Sequence, residues 1–208
     1  MNAGYRDPVE FYRDHAEQFD AVRSRTLFEK DWLDAFLALV PDGGTVLDAG
    51  CGAGEPIGRY IADAGYELVG LDMSEPLLAL ARQRLPDAVF YHADLRSFEL
   101  DRKFDGIIAW DSFFHLAQDA QEEALHRFAR HASDQAVLMF TSGTGRGEAI
   151  NPMFGEPLFH ASLSAADYKD KLEVLGFSVL KHVESDPNCG NRTIWLAQRG
   201  PERQGTKE

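Results

Sequence analysis

From Thr45 onward, short apolar runs alternate with segments of helical length. That alternation restricts the chain to a mostly parallel sheet covered by helices on both faces. "TVLDAG", "YELVGLD", "AVFYHAD", "FDGIIAW" and "AVLMFTSG" read as five strands. After the first, Pro56 suits the opening turn of a helix that runs to about Ala64, where Gly65 ends it. Ser74 reads as the N-cap of "EPLLALARQRL", and a further helix spans about Gln118 to His131. Ser164 with Asp167 resembles a capping box for a helix ending near Gly176. "FSVLKHV" and "TIWLAQ" read as a closing pair of strands joined by "ESDPNCGN", antiparallel at one edge. Ahead of the first strand, about Val9 to Val40 reads as two helices, with Trp32, Phe36, Leu37 and Leu39 spaced to pack on the sheet. The expected organisation is a single α/β domain over 1–208. Residues 1–40 form a helical cover, 41–140 the ligand-binding core, 141–163 a long link and 200–208 a polar, frayed tail.

The formal net charge is −13, from 34 acids against 21 bases, and such a field disfavours phosphate backbones and anionic membranes as partners. Cys51 and Cys189 are too few for a disulfide framework, so a reducing compartment is expected. No apolar run approaches the roughly 20 residues that span a bilayer. The first residues carry acids and aromatics with no apolar signal core, and the cytoplasm is the expected location.

The stretch "TVLDAGCGAGEPIGRY" places glycines at Gly50, Gly52 and Gly54 directly after the first strand. In open α/β sheets, ligands bind beyond the carboxyl ends of the strands, and a glycine turn there lets backbone approach a ligand closely. A tight turn without a ligand is the bland alternative. Asp72 ends the second strand 22 positions after Gly50, the spacing of an acid that accepts both hydroxyls of a ribose. Asp94 ends the third strand beside the same crevice. A dinucleotide fingerprint would need glycine at position 55, where the chain has Glu55. A carboxylate there repels pyrophosphate, and Asp48 adds another acid before the turn. The pattern suits an adenosine ligand with positive charge and no phosphate.

"VLDAGCGAG", "LVGLDMS", "HADL" and "FDGIIAWDSFFHL" together resemble the ordered motifs of class I S-adenosylmethionine-dependent methyltransferases, over about Thr45 to Phe140. The resemblance implies a doubly wound, Rossmann-like sheet of seven strands with the last antiparallel. It implies that Asp48, Gly50, Gly52 and Gly54 surround the methionine part of S-adenosylmethionine. Asp72 would hold the ribose, Met73 would pack on the adenine, and Asp94 would accept from the adenine amino group with Leu95 beside it. Trp110 would offer its backbone carbonyl to the cofactor ammonium. Cys51 occupies a position that is often cysteine in the family and is given no redox role. The expected partner is a small-molecule acceptor, without nucleic acid, membrane or metal, in a monomer or homodimer.

Methyl transfer from a sulfonium is an in-line displacement, so position and electrostatics are the protein's share. An acceptor that must lose a proton needs a base, and His115 is the nearest candidate; shaping the pocket is the alternative. Asp111 either orients ligands or faces water. Thr141 to Ser164 reads as a long link, either a substrate lid or a flap over the core, with Phe159, His160 and Arg146 as substrate candidates. The N-terminal "FYRDHAEQFDAVRSR" reads as a second cover, with Tyr12, Phe19, Arg23 and Arg25 reaching the cofactor and an arginine pairing to its carboxylate. The rival readings are a non-catalytic S-adenosylmethionine-binding module and, with Glu55 counting against it, an NAD-dependent oxidoreductase.

Overall fold

The structure, a computed structural model, describes residues 4–201. Seven strands form one sheet in the order β3-β2-β1-β4-β5-β9-β8. They are β1 (Thr45–Ala49), β2 (Glu67–Asp72), β3 (Val89–His92), β4 (Phe104–Ala109), β5 (Ala132–Ser142), β8 (Phe177–Asp186) and β9 (Arg192–Arg199). β1 to β5 pair in parallel, and β9 enters antiparallel between β5 and β8. The parallel order reverses where β1 meets β4, which opens a crevice at the carboxyl ends of those strands.

The N-terminal segment forms three helices where two were expected: α1 (Pro8–Asp14), α2 (Ala16–Val22) and α3 (Lys30–Leu37). Asp7 starts α1 by accepting from the Val9 and Glu10 amides, and His15 leaves helical geometry to separate α1 from α2. Arg23 is extended and Leu27 is left-handed, which holds α3 apart. Trp32, Leu33, Phe36 and Leu37 are buried against the sheet, whereas Leu39 is only half-buried.

α4 (Ile57–Asp63) and α5 (Glu75–Arg84) follow β1 and β2. Pro56 stands at the N-cap of α4, one position earlier than expected. Ser74 is the N-cap residue of α5, but its hydroxyl makes no cap and donates instead to the Tyr12 carbonyl at 3.0 Å. α6 (Gln118–His131) and α7 (Ala165–Val174) cover the other face, and the Ser164–Asp167 capping box is formed. Of the polar tail, Gly200 bonds back to Gly176 and residues 202–208 lie outside the described residues.

The long link is a hairpin. β5 continues to Ser142, and β6 (Gly147–Met153) pairs antiparallel with β7 (Glu156–Ser162). The chain reverses through Phe154 and Gly155, both at positive φ, as a two-residue hairpin turn demands. Glycine is ready for that conformation and phenylalanine is not, so the turn signal is weak in the sequence.

Tyr168 of α7 ties this region to the core. Its hydroxyl donates to Gln121 Oε1 at 2.7 Å and accepts from the Leu163 amide at 3.2 Å, all in a buried setting. Tyr168→Phe leaves both groups without that partner and is expected to cost about 1–3 kcal/mol, read as a lower urea midpoint at unchanged slope. An unshifted midpoint would show that water reaches the site.

Candidate functional site

A cavity of about 590 Å³ lies over the carboxyl ends of β1, β2, β3 and β4, roofed by α1 and α2 and by Phe159 of β7. The glycine turn shapes it. The Gly50 and Cys51 amides both donate to the Leu71 carbonyl, at 2.6 and 3.0 Å, which folds the turn back over β2. Gly50 and Gly52 line the cavity. Gly54 does not; the space beside its α-carbon is filled by Leu85 and Ala81, so it serves the close packing of the turn on α5.

Asp72, half-buried in the cavity wall, accepts from the Gly52 and Ser74 amides, each at 2.8 Å. Those bonds orient both oxygens and leave lone pairs for a ligand. Burial raises its pKa, and the amides oppose the rise. Asp48 is buried beside it, and burial first, then the charge of Asp72, pushes its carboxyl up to about 7, with Arg23 opposing. Burial holds the Cys51 thiol well above its ordinary value, so no reactive thiolate stands in the turn.

Met73, Asp94, Leu95 and Trp110 line the same cavity, as do Tyr12, Asp111, His115 and Phe159. Asp94 is forked by the Arg96 guanidinium, which holds its carboxyl below the usual range. The Trp110 indole is buried, and its Nε1 has no hydrogen-bond partner among the described residues.

Arg25 and Arg146 fall elsewhere. Arg25 is exposed outside the cavity and pairs with Asp20 and Glu55. Arg146 is exposed on the hairpin and pairs with Asp167 at 2.7 Å. Arg23 is the arginine of that segment that lines the cavity. His160 stays just behind the wall, stacked on Phe114 and tilted against His115.

His115 is held at both nitrogens. Nδ1 donates to the Phe159 carbonyl at 3.0 Å, so Nε2 accepts from the Tyr12 hydroxyl, also at 3.0 Å. Burial lowers its pKa to about 4. In this arrangement the Nε2 lone pair is engaged by Tyr12 and burial lowers the basicity of the ring, which favours the pocket-shaping alternative over the general base. Tyr12, which also lines the cavity, has its pKa raised by burial and by the charges of Asp111 and Asp72.

Asp111 is not a solvated loop acid. It is left-handed at φ 50°, its amide donates to the buried Thr141 hydroxyl, and Arg192 of β9 grips its carboxylate through Nε and Nη2. Nothing in the spacing of the sequence points to Arg192, 81 residues away.

α1 and the hairpin close over the cavity together. Glu156 accepts from Arg6 Nη1 at 3.0 Å and from His15 Nε2 at 2.8 Å. Phe154 stacks on Phe11, Phe159 stacks on Tyr5, and the Arg6 amide donates to the Pro157 carbonyl. No helix among the described residues is long and apolar enough to cross a membrane.

Residues 46–135 match the family model described as a methyltransferase domain. A relative from Streptomyces fradiae, dTDP-3-amino-3,6-dideoxy-alpha-D-glucopyranose N,N-dimethyltransferase, is 40% identical over 101 residues. That match covers 48% of this chain and 39% of the relative. The dTDP-3-amino-3,4,6-trideoxy-alpha-D-glucopyranose N,N-dimethyltransferase of Streptomyces venezuelae is 29% identical over 133 residues, covering 61% of this chain and 56% of that one. The chain therefore spans about two fifths to just over half the length of these relatives. Among solved structures, S-adenosylmethionine-bound CalS10, an amino pentose methyltransferase from Micromonospora echinaspora, superposes with a TM-score of 0.69 at 19% identity, covering 89% of this chain and 96% of that one. This last likeness is one of fold. The glycine turn, the acid that ends β2, the acid that follows β3 and the 3-2-1-4-5 strand order all lie in or beside that matched stretch, so residues 46–135 are similar to a methyltransferase domain and the sheet has the fold of the class I S-adenosylmethionine-dependent methyltransferases.

Proposed function

We propose that the protein transfers a methyl group from S-adenosylmethionine to the amine nitrogen of a small molecule. One observation carries the reading: a single cavity runs from Asp72 and the glycine turn to Asp111, Tyr12 and His115. The residues present fit the cofactor. Asp72 offers oriented carboxylate oxygens to the ribose hydroxyls, Met73 and Leu95 offer apolar surface to the adenine, and Asp94 borders the same end. Space beside the Gly52 α-carbon stays open to 3.9 Å, as a turn against a ligand requires. Asp48 and the Trp110 carbonyl suit the positive amino-acid end. When bound, the cofactor supplies an electrophilic methyl on a sulfonium.

The choice of an amine rests on the sugar N,N-dimethyltransferases among the relatives and on the acids around the cavity. Asp7, Asp119 and Glu123 line it and attract an ammonium. This chain's side chains then exclude water and hold the acceptor. Tyr12, bonded to His115, is the oxygen within the cavity placed to take a hydrogen bond from an acceptor N–H. The hairpin and α1 act as a joint lid through the Glu156 contacts.

Calorimetry with S-adenosylhomocysteine and NAD, followed by a methyl-transfer screen over small amines and amino sugars, tests the reading. Binding of the first ligand alone and turnover of an amine support it. Cofactor binding without any turnover would favour a binding module. With an acceptor in hand, Phe159→Ala is expected to lower kcat/KM for it by about tenfold while S-adenosylhomocysteine affinity stays within about twofold. Equal losses in both would make the hairpin part of the core and sink the lid.

Asp48 gives a pH signature. A carboxyl raised on folding contributes its full stability below its ordinary value near 4, and that contribution is lost as pH rises toward 7. A cationic ligand beside it favours the ionised form. At pH 7 the binding of S-adenosylmethionine is therefore expected to release about half a proton, measured as a dependence of the binding enthalpy on buffer ionisation. Asp48→Asn should abolish that dependence. A release that persists in the variant would place the titrating group elsewhere.

A further inference from the structure

Glu29 is the enclosed charged group without a role in the reading above. It is fully buried; Oε1 accepts from Arg23 Nη2 at 2.7 Å, and Oε2 has no hydrogen-bond partner among the described residues. A half-satisfied buried carboxylate is unfavourable for the fold unless another interaction offsets it. Its backbone is rigidly set: the Glu29 carbonyl accepts the Trp32 and Leu33 amides at the start of α3, each at 3.0 Å.

Arg23 lines the cavity with Asp48, whereas Glu29 does not. Arg96, the other arginine in the wall, is forked onto Asp94, itself a cavity residue. Arg192 is likewise gripped by Asp111. Arg23 is thus the cavity arginine whose carboxylate partner stands behind the wall. That partner occupies Nη2, and the guanidinium lies 5.9 Å over the Phe28 ring. Its remaining N–H donors keep the planar edge that suits a second carboxylate.

We propose that Glu29 is a positioning residue, fixing Arg23 from behind so that its free edge meets a carboxylate inside the cavity. Given S-adenosylmethionine as the ligand, a reading on which this inference rests, that carboxylate is the amino-acid end of the cofactor.

The test is calorimetry on the full chain with two probes, S-adenosylhomocysteine and 5′-methylthioadenosine, which shares the adenosine and sulfur but lacks the amino-acid end. Arg23→Ala and Glu29→Ala are each expected to weaken the first probe about tenfold or more and the second less than about twofold. The double variant should bind no more weakly than Arg23→Ala alone, because the two residues act as one unit. Glu29→Gln keeps an acceptor of the same shape and should retain affinity within about threefold. Should Glu29→Ala fail to fold, Glu29→Asp carries the test: it draws the carboxylate away from Nη2 and should weaken the first probe alone. Equal weakening of both probes, additive losses in the double variant, or unchanged affinity would each overturn the proposal. If the wild-type protein bound neither probe, the cofactor reading would fall and this inference with it; binding of both, with no discrimination by the Glu29 variants, removes the inference only.

Discussion

Gly50→Ala is expected to give a protein that unfolds at lower denaturant concentration and no longer binds S-adenosylmethionine. Gly50 sits at φ +87°, and a β-carbon built there falls inside the contact distance of the Ser112 side chain, 2.6 Å from its hydroxyl oxygen. Ser112 cannot simply swing aside, because that hydroxyl donates to the Ala49 carbonyl at 2.7 Å. The Gly50 amide is tied as well, to the Leu71 carbonyl. Strain in the left-handed region and overpacking each cost about 1–3 kcal/mol, so a combined loss of roughly 2–6 kcal/mol is expected. Gly52→Ala is the control. Its β-carbon meets nothing nearer than Leu77 at 3.9 Å, so it bears the backbone strain without the collision. Urea titration of both variants, with calorimetry of S-adenosylhomocysteine, measures the difference. A midpoint for Gly50→Ala equal to that of Gly52→Ala would mean that the turn yields more easily than its hydrogen bonds suggest.

Asp72→Ala should weaken S-adenosylhomocysteine binding by roughly 1.5–3 kcal/mol, about ten- to hundredfold, the range for hydrogen bonds to a charged group. The carboxylate has two tasks. Its oxygens hold the Gly52 and Ser74 amides and so order the turn and the start of α5, and they face the cavity where a ribose would lie. Asp72→Asn separates these tasks in part, since the amide keeps one acceptor oxygen. Its loss should be the smaller. Titration calorimetry at matched pH reads both, and wild-type affinity in a folded Asp72→Ala protein would refute the ribose assignment.

The sheet was legible in the sequence because each of its strands is a short apolar run bounded by strong punctuation. Gly65, Gly176 and the Ser164–Asp167 pair all stand where such signals belong. The misses have physical causes. Phe154 adopts the left-handed turn position without a residue type that announces it, so a hairpin read as an open link. His15 breaks the first helix through backbone geometry alone, with neither glycine nor proline present. Arg23 and Arg25 are two residues apart and alike in sequence, yet the extended backbone at Arg23 sends one to the cavity and leaves the other with Asp20. Around the site, pattern reasoning brought Asp48, Asp72 and Asp94 to one crevice because strand ends fix them. The Tyr12–His115 and Asp111–Arg192 pairs join residues 103 and 81 positions apart, and no periodicity carries such separations. Leu33, Asp20 and Ser112 were likewise visible only once packed.

The placement of β9 bears on how the chain is made. It is synthesised after β8 but lies between β8 and β5, so the two older strands never touch in the finished sheet. Until residues 192–199 leave the ribosome, β5 presents an unpaired edge running from Val137 to Ser142, buried along its length in the final fold. Such an edge is a ready template for another nascent chain. The half of the sheet that carries the glycine turn, by contrast, has all its strands once Ala109 is made. Synthesis therefore supplies every strand of the glycine-turn half before β9, the strand that joins β8 to the rest of the sheet, has been made.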